Sequence, residues 1–289
     1  MNLCNLNELG PLLKKYGFSF SKGLGQNFLC DPSVPEEIAV KAGIDAETCV
    51  LEVGPGVGAL TSELCKRAFR VTAIELDKRL FPILNETVGT FDNFKLVEGD
   101  VLKTDLNEVC REFEGHRKVA CANLPYYITS PAITALLERG CFDSVTVMVQ
   151  KEVAERMIAS PGTKEYGAFT LLVRYYSEPS VVISVGRDCF VPRPNVDSAV
   201  VRLDIKKRSF YTENKNAFFR IVRAAFLQRR KTLLNCMRSA YGFSKEEALE
   251  MLERAGLESD VRGEALSPEQ FAKLAETIDK KENIEKGDF

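Results

Sequence analysis

The sequence predicts an α/β domain built on a mostly parallel sheet, followed by a small all-helical domain. Three observations carry this. Short apolar runs alternate with helical patterns over the first two thirds of the 289 residues, the arrangement of a parallel sheet covered on both faces. Turns bearing glycines or carboxylates close those apolar runs, at the strand ends where such sheets hold ligands. Beyond about residue 206 only helical periodicity remains.

The elements follow in order. Residues 49–53 (CVLEV) read as a buried strand, followed by the turn Gly54-Pro-Gly-Val-Gly58 and a helix from about Ala59 to Arg67. Residues 70–75 form a second strand and Leu80 to Val88 a second helix. Residues 94–97 make a third strand, closed by Glu98-Gly-Asp100. Residues 119–122 make a fourth, closed by Asn123-Leu-Pro-Tyr126, with a helix from about Pro131 to Arg139. Val145 to Val149 is the fifth. Residues 181–184 and 199–203 are β-rich and read as late antiparallel strands at the sheet edge, separated by the extended, Pro-rich run Phe190–Val196. Helices then cover 216–227, 230–239, 245–255 and 268–277, with Ser244 and Ser267 as N-caps and Gly242 and Gly256 as terminators. The expected domains are therefore 1–205 and 206–289, with the boundary near 206–214.

Composition narrows the function. Hydrophobic residues at 45 % leave ample core material, which excludes a disordered chain. No apolar run reaches the roughly 18 residues of a membrane span, and the first residues lack the layout of a secretory signal, so a cytoplasmic protein without membrane contact is expected. Nine scattered cysteines without a C-x-x-C pair, and the lone His116, argue for a reducing compartment and against a metal site, a disulfide framework or a histidine-based triad. The net charge is only −2. Its distribution is uneven: residues 206–231 carry nine basic residues against Glu213, while 244–289 carry seven basic and 13 acidic. The basic segment is able to attract a polyanion.

The strand ends carry the chemistry. Glycines 54, 56 and 58 let backbone amides approach a ligand at a helix N-terminus that favours negative charge. Glu75 lies 21 residues after Gly54, where a carboxylate accepts ribose hydroxyls. Asp100, at the next strand end, is placed to accept an adenine amino group. The fourth strand end, Asn123-Leu-Pro-Tyr126, is of the (Asn/Asp)-Pro-Pro-Tyr type found in methyltransferases acting on exocyclic amines. An aromatic amine is a poor nucleophile because its lone pair is delocalised. The Asn123 side-chain carbonyl and the Leu124 backbone carbonyl are suited to accept its two hydrogens, and Tyr126 to stack on the base and hold the nitrogen in line with a methyl donor.

With these residues in order, the chain resembles the ribosomal RNA adenine dimethyltransferases. The resemblance rests on Gly25-Gln-Asn-Phe-Leu29, Glu52–Gly58, Leu60-Thr61, Ile74-Glu-Leu-Asp77, Gly99-Asp100, Asn123–Tyr127, Phe190–Ser198 and Phe226–Leu233, and covers about residues 12–275. It implies a Rossmann-like class I S-adenosylmethionine methyltransferase sheet, with cofactor contacts from Asn27, Leu29, Gly54, Glu75, Asp100 and Asn123. It also implies Phe190 as a second aromatic wall opposite Tyr126. The likeness is greatest to the bacterial small-subunit branch, which dimethylates two adjacent adenosines near the 3′ end of 16S rRNA. The expected partner is then 16S rRNA in an immature small subunit, bound by a monomer through Arg220, Arg223, Arg229, Arg230 and Lys231. Tyr127 stands where many relatives carry Asn and receives no role.

Three other functions share parts of this pattern. A nicotinamide oxidoreductase would use the same glycines, but no hydride-handling His or Tyr-Lys pair follows. A large-subunit rRNA methylase conferring antibiotic resistance would share the fold, and so would a non-catalytic RNA-binding assembly factor.

Overall fold

A computed structural model describes residues 1–20, 25–205, 210, 212 and 214–287, with side chains described as far as residue 279. Most of the expected boundary, and Lys206, Lys207, Arg208 and Glu213 of the basic segment, lie outside the described residues. The chain divides into two compact units, Met1–Ala154 with Glu178–Lys206, and Glu155–Ser177 with Lys207–Phe289.

The first unit opens with α1 (Leu6–Lys15), β1 (Phe28–Leu29) and α2 (Ser33–Lys41). It continues through β2 (Thr48–Val53), α3 (Ala59–Cys65), β3 (Arg70–Glu75), α4 (Phe81–Thr87), β4 (Phe94–Glu98) and α5 (Leu106–Arg111). Then come β5 (Arg117–Asn123), α6 (Thr129–Arg139), β6 (Ser144–Gln150) and α7 (Lys151–Ile158). The helical unit takes α8 (Ala168–Tyr176), after which β7 (Glu178–Val185), β8 (Phe190–Val191) and β9 (Ser198–Asp204) complete the sheets. The seven-stranded sheet has the order β4-β3-β2-β5-β6-β9-β7. Strands β2 to β6 pair in parallel, and β9 runs antiparallel to both neighbours. All six residues of β2 are buried, as expected of a strand with packed layers on both faces. From β2 the chain goes first to β3 and β4, then returns on the other side through β5. The loops after β2 and β5 therefore part at a topological switch point, where sheets of this kind open a crevice.

Two short features frame that crevice. Strands β1 and β8 form an antiparallel ribbon with Leu29 opposite Phe190. Both side chains join Val34, Ile38, Val185 and Val200 in one apolar cluster. Helix α1 packs Leu9 and Leu12 into a second cluster with Phe28, Val57, Leu80 and Leu84.

The second unit contains α8, α9 (Lys215–Leu227), α10 (Leu233–Tyr241), α11 (Lys245–Ala255) and α12 (Pro268–Gly287). Its core gathers Tyr166, Leu171, Phe218, Ile221, Met251, Phe271 and Leu274. The order of elements along the chain places residues 155–177 within the α/β domain. The structure groups them with the helical unit, because Leu171 and Tyr175 share a core with Phe210 and Phe218. The buried Tyr166 hydroxyl donates to the Leu266 carbonyl at 2.7 Å. A helix expected from Arg230 begins instead at Leu233, behind the extended cap Thr232. A second correction concerns sulfur. Cys110 on α5 and Cys141 just beyond α6 are bonded to each other, a pairing across 31 residues that carries no spacing motif. The other seven cysteines are free thiols.

Candidate active site

Four adjacent parallel strands deliver their carboxyl ends to one cavity. Its lining includes Asn27, Leu29, Gly54, Glu75, Asp100, Asn123, Leu124 and Tyr126. Every expected contact except Phe190 and the basic residues of the helical unit is therefore brought together.

The glycine turn is shaped by backbone conformation. Gly54, Gly56 and Gly58 have φ of 67°, 59° and 92°, a left-handed region that side chains disfavour. A Cβ on Gly56 would stand 3.2 Å from the Phe28 ring, and one on Gly58 2.9 Å from Val88. The turn is thus held tightly between the N-terminal segment and α4, with Gly58 as N-cap of α3.

Glu75 ends β3 and is 7 % exposed. Its Oε1 accepts the Asp77 N–H at 2.8 Å, which fixes the carboxylate toward the cavity. Burial raises its pKa, and backbone N–H groups of Asp77, Gly56 and Leu76 oppose that rise. Asp77 in turn accepts from Gln26 at 2.8 Å and pairs with Arg79 at 2.6 Å, tying the N-terminal segment to this turn. Asp100 caps its own loop by accepting the Leu102 N–H at 3.0 Å.

At the end of β5, the Asn123 side-chain Nδ2 donates to the Asn27 carbonyl at 3.3 Å. That bond orients the amide and leaves Oδ1 as an acceptor. The Leu124 side chain is buried, and its N–H donates to the Met148 carbonyl at 3.2 Å. Tyr126 is half-buried and shares a hydrogen bond with the Ser198 hydroxyl at 3.0 Å. Its ring is anchored at the rim by its far end.

Phe190 requires a correction. It is 2 % exposed, packs in the cluster with Leu29 and does not line the cavity. The β1–β8 pairing directs its side chain into the core, so its role in this structure is to anchor the ribbon. The basic residues also divide. Arg220, Arg223, Arg230 and Lys231 are exposed. Arg220 lies over the Tyr241 ring at 4.0 Å and donates to the Ala240 carbonyl. Arg229 pairs with Glu264 at 2.7 Å and donates to the Lys164 and Thr163 carbonyls at 2.9 and 3.1 Å. Arg229 is therefore a tie within the helical unit, contrary to its expected place on an RNA surface.

Leu76, Leu102 and Glu52 line the cavity without a role assigned from sequence. Leu76 and Leu102 directly follow the strand ends of Glu75 and Gly99-Asp100 and line the cavity although 50 % and 39 % exposed. Apolar residues left open beside two carboxylates make flat walls for a planar ring. Their signal in the sequence was position, one and two residues past an acidic strand end.

Glu52, inside β2, also reaches the cavity. It is 1 % exposed and its Oε2 has no hydrogen-bond partner. Burial pushes its carboxyl up to about 8; the neighbouring Thr61 hydroxyl opposes the rise and the nearby Glu75 adds to it. The folded chain thus binds a proton that the unfolded chain releases above its ordinary 4.5, so this group's contribution to stability is present below pH 4.5 and lost as pH rises toward 8. Glu52→Gln, which keeps the shape without the charge, should match the wild type in urea unfolding at pH 5. At pH 8 it should be more stable, by up to roughly 4 kcal/mol. Equal stability at both values would show that Glu52 ionises freely in the fold.

The comparisons with known proteins agree with this geometry. The family model for ribosomal RNA adenine dimethylase matches residues 17–280. Ribosomal RNA small subunit methyltransferase A of Lachnoclostridium phytofermentans is 47 % identical over 276 residues, 93 % of this chain and 95 % of that one. The protein of the same name from Clostridium perfringens is 48 % identical over 271 residues, 93 % and 94 % of the two chains. Among solved structures, a dimethyladenosine transferase from Plasmodium falciparum is 31 % identical with a TM-score of 0.75, covering 88 % of this chain and 98 % of its own. The 23S rRNA methyltransferase ErmE is 28 % identical with a TM-score of 0.66, covering 87 % and 99 %. With the family model spanning nearly the whole chain, and relatives of nearly half identity along its length, the chain belongs to the ribosomal RNA adenine dimethylase family.

Proposed function

We propose that this protein transfers methyl groups from S-adenosylmethionine to the exocyclic amines of two adjacent adenosines near the 3′ end of 16S rRNA, in an immature small subunit. It acts as a cytoplasmic monomer. The observation that carries this is the meeting of Asn123-Leu-Pro-Tyr126 with the glycine turn, Glu75 and Asp100 around one cavity.

The residues present fit the cofactor. The left-handed glycine turn leaves a cradle whose backbone a ligand approaches without Cβ atoms. Glu75 is fixed to receive ribose hydroxyls, Asp100 an adenine amine, with Leu76 and Leu102 against the ring. Asn27 and Leu29 close the cavity from the N-terminal segment. When bound, S-adenosylmethionine supplies an electrophilic methyl group. The chain's own residues do the rest: Asn123 Oδ1 and the Leu124 carbonyl accept the two amine hydrogens and free the nitrogen lone pair. Tyr126 stacks on the base and fixes its direction of approach. None of these groups needs to act as a base, because the proton of a methylated amine is acidic enough to leave to water.

Identity of 46–48 % to proteins named for the small subunit, against 28 % to the 23S enzyme, favours the 16S target. Mass spectrometry of nucleosides and RNase fragments from immature small subunits, treated with protein and cofactor, tests this. Dimethyladenosine in adjacent positions of a 3′-terminal 16S fragment is expected. Its appearance only in 23S rRNA, or no methylation at all, would overturn it.

Arg220, Arg223, Arg230 and Lys231 are assigned to the RNA surface, and Arg229 is withdrawn from it; charge reversal is applied to Arg223, Arg230 and Lys231, which leaves the contact of Arg220 with the Tyr241 ring intact. Each phosphate that a variant no longer neutralises lowers the slope of log affinity against log salt by about 1. Reversing all three charges should flatten the slope by about 2–3 and leave cofactor affinity intact. Arg229→Ala should lower the melting temperature and leave the salt slope unchanged. An unchanged slope in the triple variant would place the RNA grip elsewhere.

A further inference from the structure

The β1–β8 ribbon brings together two thiols from opposite ends of the α/β unit. Cys30 follows β1 and Cys189 precedes β8. The ladder ends at the Leu29–Phe190 pair, and Cys189 closes a 3-10 turn, Arg187–Cys189, with its N–H donating to the Gly186 carbonyl at 3.0 Å. The Cys30 N–H donates to the Cys189 carbonyl at 2.8 Å, which holds the two backbones side by side. Backbones hydrogen-bonded in this way across an antiparallel pair have Cα atoms about 4.5–5.5 Å apart, inside the roughly 4.4–6.8 Å that a disulfide spans. Cys189 packs against the apolar cluster that holds Leu29 and Phe190, and the Cys30 thiol lies close enough to raise its pKa. Both are partly exposed and both are free. Cys30 Sγ rests 3.4 Å from the Asp188 carbonyl and Cys189 Sγ 3.9 Å from the Asp31 carboxylate, so rotation about χ1 is what would turn each toward the other.

We propose that Cys30 and Cys189 are a dithiol modification site that a low-molecular-weight disulfide oxidises to a crosslink, pinning the cavity-lining strand of Asn27 and Leu29 to the loop before β8. In the first step Cys30 loses its proton and its sulfur attacks one sulfur of the small disulfide. That S–S bond breaks, and the departing thiolate takes up the proton. The Cys189 sulfur, likewise deprotonated, then displaces the small thiol still attached to Cys30. Two protein thiols are oxidised to one disulfide, and one small disulfide is reduced to two thiols.

The surroundings slow the exchange at neutral pH. Burial raises both thiols above the ordinary range, and the Asp31 carboxylate raises them further, so little thiolate is present at neutral pH. Asp188, which also faces the pair, is held by Arg193 at 2.9 Å. Cys4 lies near Cys30 but is buried. A crosslink would restrain the segment that lines the cavity, and the two sulfurs themselves stay outside it.

The test uses the full chain treated with oxidised glutathione, alkylated, digested without reductant and mapped by mass spectrometry. A crosslinked peptide pair joining residues 30 and 189 is expected, with a rise in melting temperature of about 5 °C. Cys30→Ser and Cys189→Ser should each abolish both results, and Cys110→Ser should abolish neither. A bond from Cys30 to Cys4, or glutathione retained on Cys30 without a crosslink, would overturn the proposal. A second measurement, which rests on the cofactor reading above, is the release rate of S-adenosylhomocysteine. Release should be severalfold slower from the crosslinked protein and restored by reductant. A crosslink with unchanged release would refute the pinning. Failure of the reduced protein to bind S-adenosylhomocysteine would instead refute the cofactor reading and leave the crosslink result standing.

Discussion

Asn123→Ala is expected to lower single-turnover methyl transfer about 10²–10³-fold at saturating cofactor. The position of the Asn123 side-chain carbonyl is set by a bond from its own amide, Nδ2 to the Asn27 carbonyl. Removing a preorganised group aimed at the reacting centre typically costs that factor, and a loosened substrate adds to it. Alanine also leaves the Asn27 carbonyl without its donor, so cofactor affinity should fall too, by a smaller factor. Asn123→Asp separates the two effects. It keeps an oxygen acceptor for the amine but sets a carboxylate against the Asn27 carbonyl, so it should retain more transfer than alanine while binding cofactor no better. Tyr126→Ala should lose transfer with cofactor affinity unchanged, since a base stack is worth about 1–3 kcal/mol. An alanine variant at 123 that methylates within a few-fold of wild type would remove Asn123 from the reaction.

The parts legible in the sequence were those with a local cause. A buried parallel strand is mostly apolar, and a turn that needs left-handed backbone favours glycine, so β2 and the turn at Gly54–Gly58 declare themselves. Glu75, Asp100 and Asn123 follow because each stands at the end of such a strand, and parallel strands of one sheet end on one edge. What stayed illegible depends on pairing across distance. Strands β1 and β8 have two residues each, too few to alternate, and only their mutual pairing shows Phe190 to be a core residue and not a wall. Arg229 reads as one of a basic cluster until Glu264 and the carbonyls at 163 and 164 are seen around it. Residues 155–177 follow a strand and precede a strand, so the chain order assigns them to the sheet domain. Their apolar face matches the helices that come a hundred residues later, as the Tyr166–Leu266 bond shows. Glu52 is legible as a motif letter, but its unpartnered Oε2 is visible only in the folded site.

Glu75→Ala should weaken S-adenosylmethionine binding about 30- to 1,000-fold, the equivalent of roughly 2–4 kcal/mol for a pair of charge-assisted hydrogen bonds. The fold should survive the change, and the reason lies in the electrostatics of the site. Glu75 is buried and its pKa is raised in the folded chain, so its contribution to stability is present below its unfolded pKa and lost as pH rises above it. Holding the ionised carboxylate in this buried place is therefore a cost to the ligand-free protein. Glu75→Gln, which preserves volume and one acceptor oxygen, should melt at or above the wild-type temperature at pH 8, and still bind cofactor much more weakly. The two measurements are expected to move in opposite directions, which a residue serving only the fold would not produce. Isothermal titration calorimetry and thermal unfolding on the same preparations decide it. Native cofactor affinity in a folded Glu75→Ala protein would show that the ribose is held by other groups on this sheet edge.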